Sequence, residues 1–75
     1  MDMRKLVGRN VRRLRQQAGL TQEELSAKSG FGQQYISDLE RGRRNPTILS
    51  LYEIAQALGA TPTALIEPDD QVTPT

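Results

Sequence analysis

The chain has 75 residues, ten of them Lys or Arg and nine Asp or Glu, for a formal net charge of +1. A chain of this length makes one small domain. Cysteine and histidine are both absent, which excludes disulfides and thiolate chemistry and removes the commonest metal ligand and general base. The composition therefore predicts no enzyme, no metal site and no cofactor. No apolar run approaches a membrane span and no signal peptide is visible, so we expect a cytoplasmic protein.

The charge is divided unevenly along the sequence. Residues 1–45 hold all ten basic residues against five acidic ones, or +5, whereas residues 46–75 hold four acidic residues and no basic one, or −4. Such asymmetry indicates that the first part of the chain meets a polyanion. The alternative is that its basic helix residues are only solvated.

An apolar stripe predicts the first helix, from about residue 3 to residue 17. Its members recur at spacings of four, three and four residues; they are Val7, Val11, Leu14 and Ala18. Gly19 is expected to end this helix.

A capping box marks the start of the second helix. Thr21 is a good N-cap and Glu24 follows three residues later. Gly30 suits a tight turn because it adopts a positive φ without cost, and Phe31 follows as an apolar plug. A third helix is predicted from about Gly32 to Arg41.

The third helix has an apolar face and a polar face. If Ile36 points inward, Leu39 and Glu40 lie within about 60° of it. The outward polar face is predicted to read DNA bases through Gln33, Gln34, Ser37, Asp38 and Arg41. Gln can pair bidentately with adenine in the major groove, although an ordinary wetted helix face is the alternative. We expect Asp38 to pair with Arg41 or to accept a hydrogen bond from a cytosine amine.

The rest of the chain predicts two more helices. Thr47 caps a fourth helix that runs to about Leu58, and Thr61 caps a short fifth helix with Pro62 at its first position. Core positions are predicted on both helices, at Ile48, Leu51, Ile54, Ala55, Leu58, Leu65 and Ile66. We expect residues 1–67 to form the domain and residues 68–75 to be a disordered tail.

Four segments resemble the helix-turn-helix of the Cro and phage-repressor (XRE-type) family. They are GLTQEEL at 19–25, Gly30 in the turn, YISDLERGRRNP at 35–46 and LYEIAQALG at 51–59. The likeness spans roughly residues 6–66. The GRRNP turn is also similar to that of restriction–modification controller proteins, and the Gln33-Gln34 pair to that of some lambdoid phage repressors.

The resemblance implies an all-α, five-helix, lambda-repressor-like fold and a sequence-specific transcriptional regulator. Such a protein binds double-stranded DNA at a near-palindromic operator as a homodimer, with the helix at about residues 32–41 in the major groove. The alternative is an antitoxin-type module of the same fold whose main partner is another protein. No site for a small-molecule effector is evident.

The resemblance also implies roles for residues outside the third helix. Arg15 is expected to pair with Glu40, with a direct phosphate contact by Arg15 as the alternative. Phosphate contacts are expected from Gln22, Tyr35, Arg43, Arg44 and Asn45. These contacts set position and affinity without reading sequence.

Two apolar residues of the fourth helix lie off its predicted core stripe. Leu49 and Tyr52 are one turn apart, and the family often has a charged residue at the Leu49 position. We expect them to form a dimer interface, extended on the fifth helix by Ala64 and the edges of Leu65 and Ile66. Gly32 is a second departure, because the family usually has Ser or Thr at this N-cap.

Overall fold

Five helices follow one another along residues 2–68, the part of the chain that the computed structural model describes. They are α1 (Met3–Gln17), α2 (Gln22–Ser29), α3 (Gln33–Glu40), α4 (Ile48–Leu58) and α5 (Pro62–Ile66). The all-α, five-helix prediction is confirmed. No helix in this part of the chain is long and apolar enough to cross a membrane. Beyond Pro68, the tail that was predicted to be disordered lies outside the described residues.

Side chains cap four of the five helices where the sequence places a capping residue. The Asp2 carboxylate accepts from the backbone N–H groups of Arg4 and Lys5, and the Lys5 N–H is the main cause that lowers the pKa of Asp2. Thr21 and Glu24 form the predicted capping box. Thr47 and Thr61 cap α4 and α5.

The core draws side chains from all five helices. Its buried members are Val7, Val11, Leu25, Ile36, Leu39, Ile54, Ala55 and Leu65. Sequence periodicity missed Leu6, which is 2% exposed, and Asn10, which is fully buried. The Asn10 amide donates to the carbonyls of Leu65 and Glu67 at 2.9 and 2.8 Å, so this side chain fastens the end of α5 to α1.

Three predicted positions are wrong. Ile48 is 83% exposed rather than in the core, because it occupies the first turn of α4, about 60° around the helix from Leu51, where no other helix covers it. Ala18 is exposed because it is the C-cap of α1, beyond the packed stripe. Ile66 is 42% exposed rather than in the core, because it lies about 100° around α5 from Leu65, which is fully buried as predicted and so keeps its side chain out of the expected dimer interface.

A glycine allows α1 to touch α3. A Cβ atom on Gly8 would lie 2.5 Å from the carbonyl oxygen of Leu39 and 2.7 Å from that of Glu40. Both atoms belong to the backbone of α3, so they cannot swing aside as a side chain does. The closeness of the two helices therefore depends on the missing side chain at this position.

Candidate nucleic-acid interface

The turn between α2 and α3 aims α3 outward. Gly30 has φ +83°, which is the left-handed conformation that L side chains rarely adopt. Within the turn, the Ser26 hydroxyl donates to the carbonyl of Phe31, and the backbone N–H of Phe31 donates to the Ser29 hydroxyl. The backbone N–H and carbonyl groups of Phe31 in the turn are thus both hydrogen-bonded to serine side chains of α2.

The two faces of α3 are those predicted from its sequence. Ile36 and Leu39 are fully buried. Gln33, Gln34 and Arg41 are exposed, whereas Ser37 and Asp38 are half-buried. The five polar residues assigned to base reading therefore lie on the accessible part of the helix, and their contact with bases stays a prediction.

Among residues 2–68, the Asp38 carboxylate has two partners, and neither is Arg41. Gln34 Nε2 donates to Asp38 Oδ1 at 3.0 Å, and an Arg44 guanidinium nitrogen lies 3.7 Å from Asp38 Oδ2. The expected Asp38–Arg41 pair is therefore wrong. The reason is the end of α3, where Gly42 has φ +76° and the Arg43 N–H donates to the carbonyl of Asp38 at 2.9 Å. This turn carries the chain back along α3, so Arg44 lies closer to the carboxylate.

Tyr35 and Arg44 form an aromatic and cationic stack beside α3. The Arg44 guanidinium lies 5.1 Å from the centre of the Tyr35 ring. The Tyr35 ring stacks on Phe31 with 4.8 Å between centroids and 18° between planes. Both rings also pack against the hydrophobic core. Tyr35 therefore supports the loop arginine, and its predicted phosphate contact remains to be tested.

An ion pair joins the ends of α1 and α3. Arg15 Nε donates to Glu40 Oε2 at 2.6 Å and Arg15 Nη2 to Glu40 Oε1 at 3.0 Å, a bidentate geometry. The two side chains are only 12% and 4% exposed. The hydrogen bond that Arg15 donates to Glu40 raises the pKa of Arg15 above its ordinary value, despite the opposing effect of burial.

Gln22 brings α2 into the same network. Its Nε2 donates to Glu40 Oε1 at 3.1 Å. This contact links the first turn of α2 to the last residue of α3 and so braces α3 against α2. Its phosphate contact stays a prediction.

Three consecutive residues of the loop between α3 and α4 were assigned to phosphate binding. Arg43, Arg44 and Asn45 are all exposed. They continue the accessible surface that Gln33 and Gln34 begin at the other end of the helix. A helix with exposed amide side chains, next to a loop with two cations, matches a surface that reads bases and contacts phosphates.

The sequence model of the protein family HTH_3, described as helix-turn-helix, matches residues 11–65. The chain belongs to this helix-turn-helix family. It is 65% identical to a helix-turn-helix-type transcriptional regulator, y4dJ, of Sinorhizobium fredii, over 95% of this chain and 92% of that protein.

Solved structures of family members have the same fold. A hypothetical transcription factor from Neisseria, NHTF, is 33% identical with a TM-score of 0.88, over 93% of this chain and 80% of that one. The restriction–modification controller protein C.Esp1396I was solved as a tetramer in complex with its natural 35-base-pair operator. It is 34% identical with a TM-score of 0.79, over 87% of this chain and 86% of that one.

Proposed function

We propose that this protein is a transcriptional regulator that binds double-stranded DNA in a sequence-specific manner, with α3 in the major groove. One observation carries the proposal: two neighbouring glutamines are exposed at the start of α3, and the loop that follows this helix contains exposed arginines. Relatives named as transcriptional regulators, and a controller protein solved on its operator, support it. A regulator of this prokaryotic family works where the DNA is, in the cytoplasm.

Base reading and phosphate binding fall to different residues in this proposal. Gln33, Gln34, Ser37, Asp38 and Arg41 serve base recognition, directly or through a neighbour. Gln22, Tyr35, Arg43, Arg44 and Asn45 serve the phosphate backbone. This division follows from position, because residues on the outward side of α3 meet base edges when that helix lies in the groove, whereas residues beside it meet the phosphates.

The proposal includes a homodimer. One α3 reads only a few base pairs, which is too few for specificity among many competing sites. Two copies related by a twofold axis double these contacts and require a near-palindromic operator, with half-sites about 34 Å apart.

The interface we propose is the apolar α4 patch, which consists of Ile48, Leu49 and Tyr52. Leu49 is 75% exposed and Tyr52 is 47% exposed. With the exposed Ile48 they form one stripe, because their positions span about 100° around the helix. Ile66, which is also exposed, and the half-buried Ala64 extend the interface on α5. Residues 46–68 contain no basic residue, so the α4 patch itself brings no arginine to the axis, and Arg4 of α1 borders the interface beside Ile66.

A charged substitution in the patch tests the dimer. We expect Leu49→Glu to give a folded monomer, because a desolvated carboxylate would oppose burial of the patch. Sedimentation at micromolar concentration measures the assembly, and sites selected from random DNA provide the operator. The variant should bind that operator much more weakly than the wild type does.

Gln16→Glu is the matched control, because it adds the same charge on the exposed side of α1. It should sediment as the wild type does. A wild type that stays monomeric, or a Leu49→Glu protein that still dimerises, places the interface elsewhere. Failure of the wild type to select any site from random DNA contradicts the proposed function itself.

A further inference from the structure

Asp38 lies between a predicted base-reading residue and a predicted phosphate-binding residue. Its Oδ1 accepts from Gln34 Nε2 at 3.0 Å, and its Oδ2 lies 3.7 Å from the Arg44 guanidinium. Gln34 and Asp38 are four residues apart on α3, so they face the same side of the helix. The Asp38 side chain is 20% exposed, whereas Gln34 is exposed.

The Asp38 carboxylate determines the orientation of the Gln34 amide, that is, whether its oxygen or its nitrogen faces Asp38. A free glutamine can present either its oxygen or its nitrogen to a given partner. An ionised carboxylate only accepts hydrogen bonds, so the amide nitrogen must face Asp38. The Gln34 oxygen and the second hydrogen on Nε2 then remain for a ligand.

This remaining pair, one acceptor and one donor, matches one base in particular. Adenine presents the N6 amino donor beside the N7 acceptor in the major groove. Guanine presents two acceptors, N7 and O6, so the Gln34 oxygen would meet a second oxygen there. An amide held in this orientation therefore discriminates adenine from guanine.

A chain of contacts holds the carboxylate in place. Arg44, which pairs with Asp38, lies 5.1 Å from the centre of the Tyr35 ring. Tyr35 stacks on Phe31, and both rings pack against the core. The orientation of Gln34 is thus tied through Asp38 and Arg44 to the rigid part of the domain.

Gln33 provides the contrast on the same helix. It is exposed, and no side-chain hydrogen bond to another of residues 2–68 holds its amide. Its amide can turn to suit the base it meets. The two adjacent glutamines therefore differ in the freedom of their amide groups.

We propose that Asp38 is a positioning residue for base recognition, which holds the Gln34 amide in the orientation that selects adenine. The inference rests on the proposed function, since it assumes that α3 lies in the major groove. It adds a specificity determinant that itself makes no base contact.

The test compares single base-pair variants of the operator selected from random DNA. Gln34→Ala identifies the base pair that Gln34 reads, as the one position where preference is lost. There we expect the wild type to prefer adenine by about 5- to 150-fold. Asp38→Ala should reduce this preference to a few-fold at that base pair and leave the other positions unchanged.

Two further variants separate orientation from charge. Asp38→Asn is nearly isosteric, but its amide can donate as well as accept, so it should also broaden the preference at the Gln34 base pair. Both Asp38 variants also remove a negative charge near phosphate, so, apart from the loss of preference at the Gln34 base pair, they should raise the affinity for DNA of any sequence. Glu53→Gln removes an exposed acid on α4 and should leave every preference intact.

Thermal unfolding followed by circular dichroism verifies that each variant is folded. Full adenine preference in both Asp38 variants overturns the inference, and so does an equal loss of preference at every base pair. If Gln34→Ala changes no preference while the wild type still selects a site, the inference fails and the proposed function stands. If the wild type selects no site, the proposed function fails as well.

Discussion

Gln33 is the first residue of α3 and stands exposed at the leading end of the helix. Its neighbour Gln34 is held by Asp38, whereas Gln33 has its full amide available. A long polar side chain at the first turn of a helix in the major groove is well placed to reach a base edge. This makes Gln33 the simplest residue for testing base recognition.

We expect Gln33→Ala to cost about 1–3 kcal/mol of binding free energy at the matching operator and to flatten the preference at one base pair. Fluorescence anisotropy with the selected operator and with scrambled DNA measures this cost. If binding to both DNAs falls equally, Gln33 supports binding without reading a base.

Gly8 shows how one missing side chain sets the distance between two helices. Alanine has the higher helix propensity, by about 1 kcal/mol, so on α1 alone Gly8→Ala would be stabilising. The added Cβ would instead press on the backbone carbonyls of Leu39 and Glu40. Because α3 carries the polar face, a shift here would also move the DNA-binding surface.

Gly8→Ala should lower the free energy of unfolding by about 1–3 kcal/mol, as overpacking does elsewhere. Urea unfolding followed by circular dichroism measures it. Gly32→Ser is the matched control, because a Cβ there meets nothing within 4 Å and Ser is a good N-cap. A Gly8→Ala protein as stable as the wild type would mean that the helices separate without cost.

At the scale of the elements, three helices meet at Glu40. Arg15 from the end of α1 and Gln22 from the start of α2 both donate to its carboxylate. The Arg15 guanidinium also donates to the carbonyl of Leu20 at 2.9 Å. The network therefore fixes the last residue of α3 relative to both preceding helices, close to the cationic loop.

Arg15→Ala should be strongly destabilising, by about 3–5 kcal/mol, because it leaves a nearly buried carboxylate without its cation. Gln22→Ala should cost less, since Glu40 keeps both hydrogen bonds from Arg15. Chemical unfolding of the two variants beside the wild type provides the comparison. Equal costs would show that the ion pair is not the main connection among the three helices.

At the scale of the whole molecule, the basic residues and the apolar α4 patch come from different parts of the sequence. All ten basic residues precede residue 46, and the apolar α4 patch follows it. One surface can then meet a polyanion while the other meets a second copy. Association with DNA should accordingly depend steeply on salt concentration, because each phosphate contact releases counterions.

If Arg43, Arg44 and one or two arginines of α1 supply about two to four cationic phosphate contacts per subunit, a dimer should release roughly four to seven counterions. Arg43→Ala should weaken binding to all sequences alike and make the salt dependence shallower, by about 0.9 for each phosphate that is no longer neutralised. Arg43 is a cleaner probe than Arg44, which is engaged with Asp38 and Tyr35. Salt titrations on operator and scrambled DNA measure both effects, and an affinity independent of salt contradicts the electrostatic argument.

Local signals in the sequence were enough to locate all five helices. The capping threonines, the turn glycine at 30 and the apolar stripe of α1 act within a few residues of chain, so their effect can be read without a partner. The same applies to the two faces of α3, where Ile36 and Leu39 are buried as periodicity predicts. The family resemblance added the expected Arg15–Glu40 pair, which no local pattern indicates.

Only the tertiary structure decided which side chains meet across elements. Ile48 has the periodicity of a core residue but lies where no helix covers it, and Ile66 is exposed although it was predicted in the core. No sequence pattern marks Asn10 or Gly8. The Asn10 side chain nevertheless binds the end of α5 to α1, and the absence of a side chain at Gly8 lets α1 pack closely against α3. Asp38 meets Arg44 because the chain turns back after α3. Helix periodicity specifies a direction around an axis, whereas burial and pairing depend on which other element occupies that direction.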